Sequence, residues 1–291
     1  YQSLLDHLGS GKDWDLARKY GGLVLLPPFG AIDNGGLYKN RLEALKGITG
    51  FLSRRNEDYV ILCDCDGVYR MDLSDVIDYH EKKQADITIV CHPEEIGNPS
   101  SYDIVKSDET GRVIGLEFNP KNKGKAKYYS NIMVINRTFL LNLINESISH
   151  GYKNFRDDII LVNLRRYNVY AYDFNGYHAT IDSLSSYFKH NMELLDKKVR
   201  DELFGARDIY TKVRDSAPTK YGFSSLVKNS LVSDGCVVEG TVENSILFRG
   251  VKVGKGAVVR NSVIMQDTVI GDGVKLNCVI TDKNVVIRDN R

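Results

Sequence analysis

The stretch best suited to chemistry is Cys63-Asp64-Cys65-Asp66-Gly67-Val68-Tyr69, directly after the apolar run Tyr59-Val60-Ile61-Leu62. In open α/β sheets ligands bind outside the carboxyl ends of strands, so acidic residues at such a tip are placed to meet them. Their oxygens suit Mg²⁺, a hard cation that is commonly shared between carboxylates and substrate phosphates. The same residues equally suit a plainer duty, turning the chain and capping the helix that follows. Cys63 and Cys65 hint at a metal, but no cluster of cysteine or histidine completes a zinc set.

Such a tip needs a sheet behind it. Leu23-Val24-Leu25-Leu26, Tyr59-Val60-Ile61-Leu62, Ile87-Thr88-Ile89-Val90 and Ile132-Met133-Val134-Ile135 are short apolar runs of the kind buried on both faces. Helical patterns alternate with them over 37–52, 73–85, 139–148 and 184–195, the last behind Asp182-Ser183. This alternation predicts a doubly wound α/β sheet over 1–200. A charged segment with Pro218 and Gly222 near its end reads as a linker over 201–223.

From 224 to 291 the pattern changes. Asn229-Ser230, Asn244-Ser245, Asn261-Ser262 and Asn277-Cys278 recur at steps of 15, 17 and 16, with aliphatics such as Val253, Val259, Ile264 and Ile270 about six apart. One strand-turn unit cannot bury its own apolar side, so coils of this period must stack around a shared core. Ordinary hairpins would not hold the spacing. A β-solenoid is expected.

Composition narrows the classes. Lysine plus arginine number 39 and aspartate plus glutamate 38, so no polyanionic partner is indicated. No apolar stretch approaches the roughly 20 residues of a membrane span, and no basic-then-apolar leader is visible. The five cysteines, Cys63, Cys65, Cys91, Cys236 and Cys278, are odd in number and scattered, which predicts reduced, mostly buried thiols in a cytoplasmic protein. The six histidines are dispersed, which suits satisfied or solvated rings rather than ligands. Trp14 is expected to pack a helix over 13–20. The 17 tyrosines include Tyr128-Tyr129, but without a basic groove they do not imply nucleic-acid binding.

Several motifs together resemble a known family. The strand ending in Asp66-Gly67-Val68-Tyr69 is similar to the Gly-Asp-His-Ile-Tyr motif of sugar-nucleotide pyrophosphorylases. Gly115-Leu116-Glu117-Phe118-Asn119-Pro120 resembles their sugar-phosphate motif Glu-Phe-x-Glu-Lys-Pro, and Phe155-Arg156-Asp157-Asp158-Ile159-Ile160 resembles Phe-Gly-Lys-Asp-Ile-Ile. The segment from Ile181 to Tyr187 resembles Val-Gly-Thr-Leu-x-x-Tyr. Their order, followed by the solenoid, is similar to the ADP-glucose pyrophosphorylase family. The resemblance implies a nucleotidyltransferase domain followed by a left-handed parallel β-helix, with Mg²⁺ as cofactor if the chain is active.

It also implies site residues, some altered. On the nucleotide side Tyr38 and Asn40 match the family segment. Asp66 matches a metal-binding aspartate, whereas its acidic partner falls on Thr180. On the sugar side Glu117, Asp158 and Ser130 match. The lysine that clamps the sugar phosphate falls on Asn119, and an amide cannot replace an ammonium there. Lys121 lies close by in sequence. The family's Ser-Met-Gly glycine becomes Ile132, whose side chain is expected to intrude beside the sugar. The family's glycine-rich phosphate loop has no counterpart from Tyr1 onward and is expected to precede it.

Phosphoryl-group transfer depends on positioning and on charge neutralisation, and the altered residues weaken both. The resemblance is therefore closest to the D-type, regulatory subunit of bacterial glycogen synthesis. It implies a weakly active or inactive subunit in a hetero-oligomer with a catalytic ADP-glucose pyrophosphorylase subunit, responsive to a sugar-phosphate effector. One alternative is a competent sugar-phosphate nucleotidyltransferase using Lys121 and Asp158 in shifted roles. Another, remote, is a hexapeptide acyltransferase, which would want a solenoid histidine that 226–291 lacks. Lys121, Lys123, Lys125 and Lys127 form either a solvated face or an effector patch.

Overall fold

The computed structural model describes residues 2–27, 38–96, 103–118, 124–205, 209–211 and 214–288. Two compact units divide it: Val24–His178, and Tyr1–Leu23 with Ala179–Arg291. These limits differ from the sequence boundaries at 200 and 223. The first segment and both helices after 180 group with the solenoid rather than with the sheet.

The solenoid unit begins with helix α1 (Gln2–Leu8) and a single 3-10 turn, Lys12–Trp14, which Asp15 ends at φ 54. The expected helix over 13–20 is thus absent, and Trp14 instead meets the His7 ring edge-on at 5.2 Å. The expected strand at 23–26 does not form either. Leu23 N–H goes back to Leu16 O at 3.0 Å, the side chains of Val24, Leu25 and Leu26 are exposed, and no described strand runs beside them. An apolar run without a pairing neighbour leaves its backbone groups unserved, so burial on two faces never arises.

In the sheet unit, the pattern over 37–52 resolves into two short helices, α2 (Arg41–Gly47) and α3 (Thr49–Ser53). Strands β1 (Tyr59–Leu62) and β2 (Gly67–Tyr69) follow, then helix α4 (Leu73–Lys82), capped by Asp72 through Ser74 N–H at 3.0 Å. Next come β3 (Ile87–Ile96), β4 (Asp103–Ser107), β5 (Val113–Phe118) and the long β6 (Gly124–Asn136). Helix α5 (Arg137–His150), capped by Asn136, leads to a π-helical segment (Phe155–Leu161) and β7 (Val169–Asp173).

The sheet order is β5-β4-β6-β3-β7, with β1 on the second half of β6. Among the described strands of this sheet only β3 and β7 pair in parallel; β6 runs antiparallel to β1, β3 and β4. Leu42, Leu52, Leu140 and Ile144 from α2, α3 and α5 cover one face, against Ile87, Ile89, Met133 and Ile135. Val76 of α4 covers the other, against Val90, Ile132 and Val134. Each fully buried aliphatic contributes roughly 1.5–3 kcal/mol. Helices on both faces make this the doubly wound α/β fold that strand-helix alternation predicts.

One irregularity matters for the site. Ile89 pairs with Met133 but Cys91 with Tyr129, so β6 takes four steps where β3 takes two. Asn131 absorbs the excess at φ 57, a left-handed conformation that asparagine tolerates better than most residues. Ile132 beside it is 1 % exposed and packs under α4. The expected intrusion of its side chain beside a sugar does not occur.

Beyond β8 (His178–Thr180), helix α6 (Leu184–Glu193) carries a capping box between Ser183 and Ser186, and α7 (Lys197–Phe204) is capped by Asp196. The solenoid then stacks three parallel sheets. One holds β9 (Lys220–Tyr221), β12 (Val237–Val238), β15 (Lys252–Val253), β18 (Val269–Ile270) and β21 (Val286–Ile287). A second holds β10 (Leu226–Lys228), β13 (Thr241–Glu243), β16 (Val258–Arg260) and β19 (Lys275–Asn277). The third holds β11 (Leu231–Val232), β14 (Ile246–Leu247), β17 (Val263–Ile264) and β20 (Ile280–Thr281). Val238, Val253, Val259, Ile264 and Ile270 fill the interior. Helix α6 packs on β17, whose Val263 is buried although it lies outside that interior cluster.

The repeat markers are structural ladders. Asn229, Asn244 and Asn261 turn corners at φ 44, 45 and 47, and Asn229 Nδ2 donates to Asn244 Oδ1 at 2.8 Å. The buried hydroxyls of Ser245 and Ser262 accept from the coil above, at 3.1 Å from Ser262 N and Val279 N. The final coil shifts the marker. Cys278, not Asn277, occupies the left-handed corner at φ 56, so the last step is 17, matching the 17-residue offset from Ser262 to Val279. Asn277 still accepts from Asn261 Nδ2 at 2.9 Å.

The thiols depart from expectation. Cys91 and Cys236 are buried, but Cys63, Cys65 and Cys278 are exposed, and all five are free. Cys63 and Cys65 lie past the end of β1, where the sheet no longer covers the chain. Two of the histidines are held as satisfied rings: buried His80 Nδ1 lies 2.8 Å from Thr88 Oγ1, and His92 Nδ1 lies 2.9 Å from Phe174 O.

Candidate ligand site at the strand tips

Within the sheet unit, a cavity of about 290 Å³ opens where β1, β4, β5 and β6 meet α2 and the π-helical segment. Ile89, Leu116, Met133, Phe155 and Ile160 give it apolar walls, and Asn40, Asn131 and Asn154 supply amides. Two arginines complete it, Arg41 and Arg156, each held by carboxylates. Apolar walls with a few convergent polar groups are the usual make-up of a small-molecule site.

Arg41 is placed by the cap of α2. Asn40 Oδ1 accepts Glu43 N–H at 3.0 Å, which starts the helix and sends the next side chain across to the sheet. Arg41 Nη2 donates to Asp64 Oδ1 at 2.5 Å and to Asn131 O at 3.3 Å, and Nη1 donates to Tyr129 OH at 3.4 Å. One guanidinium therefore joins the helix, the strand-tip loop and the β6 bulge. Burial pushes the Tyr129 phenol up to about 12, with Arg41 acting in the opposite sense, so Tyr129 stays neutral.

On the far wall Arg156 Nη1 donates to Asp103 Oδ2 at 2.6 Å and Nε to Asp157 Oδ1 at 3.0 Å. Its guanidinium lies 3.8 Å from the centre of the Phe118 ring, a stacking contact that adds cation–π attraction.

Of the residues expected from sequence, Asn40 lines this cavity, chiefly as a helix cap, while Glu117 and Ser130 stand one position away from it. Tyr38 packs instead against Gly47, where an added Cβ would come within 2.5 Å of the phenol oxygen. Leu116 faces the cavity, whereas Glu117 pairs with Lys106 at 2.9 Å, because adjacent strand residues point to opposite faces. Asn131 likewise lines the cavity next to Ser130, whose hydroxyl is buried with no hydrogen-bond partner among the described residues. Asp158 Oδ2 accepts Lys153 N–H at 2.8 Å and Asn154 N–H at 2.9 Å, a backbone duty that leaves it poorly placed for a shifted catalytic role. Asn119, Lys121 and Lys123 lie outside the described residues, while Lys127 pairs with Asp173 at 2.5 Å.

Asp66 is half-buried just before β2, and its carboxylate has no partner among the described residues. Thr180 ends β8 and belongs to the solenoid unit. Among the described residues no three of His, Cys, Asp and Glu are arranged to hold a metal ion. Asp64, the other acid at this tip, is already engaged by Arg41. The described residues at this tip therefore do not by themselves build a resident Mg²⁺ site. A single carboxylate holds that ion only together with ligand phosphates.

Arg41, Asp103, Tyr129, Asn154 and Arg156 were not among the residues expected from sequence. A signal existed for Arg156, a charge set inside a motif that the resemblance had already marked, and a weaker one for Arg41, which directly follows Asn40. No pattern linked Asp103 or Tyr129 to the site.

The comparisons agree with this architecture. A family profile described as Nucleotidyl transferase matches residues 4–197, and one described as GlmU-like, C-terminal hexapeptide matches 217–291. A glucose-1-phosphate adenylyltransferase of Thermosipho africanus is 33% identical over 266 residues, 88% of this chain and 63% of the relative. That of Geobacillus stearothermophilus is 34% identical over 89% of this chain and 69% of its own length. One from Clostridium perfringens is 32% identical over 98% of this chain and 79% of its own. The chain thus spans less than two thirds of the first relative and rather more of the other two. With a nucleotidyltransferase sheet, a hexapeptide solenoid and relatives of one name along nearly its whole length, the chain belongs to the glucose-1-phosphate adenylyltransferase family.

Proposed function

We propose that this chain serves glycogen synthesis as a weakly active or inactive subunit of a glucose-1-phosphate adenylyltransferase, partnered by a catalytic relative. The reaction concerned joins ATP and glucose-1-phosphate to give ADP-glucose and pyrophosphate. The observation that carries the reading is the engagement of the acidic groups. Asp64 is tied to Arg41 and Asp158 to two backbone N–H groups, which leaves Asp66 as the unpartnered acid among the three. Thr180 and Asn119, where the family has a carboxylate and a lysine, point the same way. Any Mg²⁺ used in residual transfer would rest on Asp66 and the ligand's own phosphates.

In this reading the protein works in the cytoplasm, the solenoid contributes to assembly, and a sugar-phosphate effector acts on the oligomer. No described helix is long and apolar enough to cross a membrane. The test is an ADP-glucose assay of the full-length protein alone and mixed with a catalytic relative, with sedimentation of the mixture. Expected are little turnover alone, a mixed oligomer, and altered rate or effector response in the mixture. Turnover by the lone protein at roughly 1 per second or faster, an ordinary enzyme rate, overturns the proposal.

A further inference from the structure

The cavity presents a cation that belongs to the chain itself. A guanidinium has five N–H donors, and Arg41 commits three of them, to Asp64, Asn131 O and Tyr129. Nε–H and one Nη1–H remain without a partner among the described residues, on a side chain that lines the cavity. Arg156 also commits three donors, but to two carboxylates, Asp103 and Asp157, so its charge is already offset. Arg41 meets one carboxylate among the described residues, that of Asp64, and so keeps both donors and charge for a ligand.

Its placement is fixed from three sides. The cap at Asn40 sets where the side chain leaves α2, Asp64 holds it at the strand tip, and the Asn131 carbonyl is turned toward it by the left-handed kink in β6. A planar donor group held in one orientation matches a phosphate better than a mobile ammonium does. It also carries its charge at any working pH, whereas the described carboxylates do not assemble a metal site.

We infer that Arg41 is the phosphate-recognising residue of this cavity and that the chain binds a phosphorylated sugar without a divalent metal. The inference rests on the proposed function for its ligand class. An arriving phosphate takes the two spare N–H groups and competes with Asp64 for the same charge. The amides and apolar walls receive the uncharged sugar ring.

The experiment is calorimetric titration of the full chain with glucose-1-phosphate, once in EDTA and once in Mg²⁺, with glucose as the uncharged comparison. Binding is expected in both media with affinities within about twofold. Arg41→Gln should weaken it by at least about tenfold, the loss expected for a charge-assisted hydrogen bond, and leave glucose unaffected. Asp64→Asn should tighten it, because the guanidinium loses its competitor. A purely structural Arg41 would give the opposite sign there, since Asp64→Asn would only loosen the loop. If Arg41→Gln fails to fold, Arg41→Lys and Asp64→Asn carry the comparison. Binding that requires Mg²⁺, binding unchanged by Arg41→Gln, or no binding by the wild-type chain overturns the inference. None of these results depends on turnover or assembly, so the inference and the proposed subunit role fail separately.

Discussion

Asp158 Oδ2 accepts two consecutive backbone N–H groups, those of Lys153 and Asn154, at 2.8 and 2.9 Å. A carboxylate in a motif shared with sugar-nucleotide enzymes is thereby the clasp that begins the π-helical wall of the cavity. Asp158→Ala should lower the thermal midpoint by roughly 2–4 °C, as loss of a cap does in a protein of this size. The N–H of Asn154, then that of Lys153, holds the Asp158 carboxyl below its ordinary 3.8. Because the folded value is the lower one, the stabilisation is present above pH 3.8 and is lost as acid passes through the folded value. Thermal scans of both proteins from neutral to acid pH should therefore converge at the acid end; coincident curves would mean the clasp contributes nothing, and parallel offset curves that its contribution does not depend on the carboxylate's charge.

Ile132 occupies a position where the family carries glycine, yet it points away from the cavity into the Val76–Val90–Val134 cluster. Ile132→Ala should cost about 2–5 kcal/mol in urea unfolding, the usual range for emptying a buried aliphatic site. Its affinity for glucose-1-phosphate should match wild type. A marked gain in affinity would mean that the side chain does obstruct a ligand.

Ser262 is fully buried in the solenoid, donating to Arg260 O at 2.6 Å and accepting Val279 N–H at 3.1 Å. In Ser262→Ala that N–H loses its acceptor, at a cost of about 1–3 kcal/mol. Chemical denaturation followed by hydrogen exchange should locate the loss at the coils on either side of 262. Stability within about 0.5 kcal/mol of wild type, the ordinary effect of a surface change, would reduce the serine ladder to a bystander.

How far the sequence alone could reach differed between the two units. The solenoid was legible because its period is local: each coil repeats the same inward aliphatic and the same corner asparagine, and stacking follows from burial. Even so, the one-residue shift to Cys278 was hidden, since Asn277-Cys278 looks like its predecessors until the strand register is known. Ahead of the coils, the helix cap at Ser183 could be read directly. The apolar run at 23–26 misled, because hydrophobicity reports a wish for burial and not whether a partner strand is beside it.

The sequence by itself determined the sheet-then-solenoid order, the family, and the acidic strand tip near which the cavity opens. Tertiary structure alone decided which face of β5 and β6 meets that cavity. It put Leu116 and Asn131 there in place of Glu117 and Ser130, through strand alternation and a bulge no local pattern announces. It also brought Arg41 to Asp64 across 23 positions of chain. An ion pair depends on two backbones arriving within a few ångströms of each other, and that distance is a property of the packed fold.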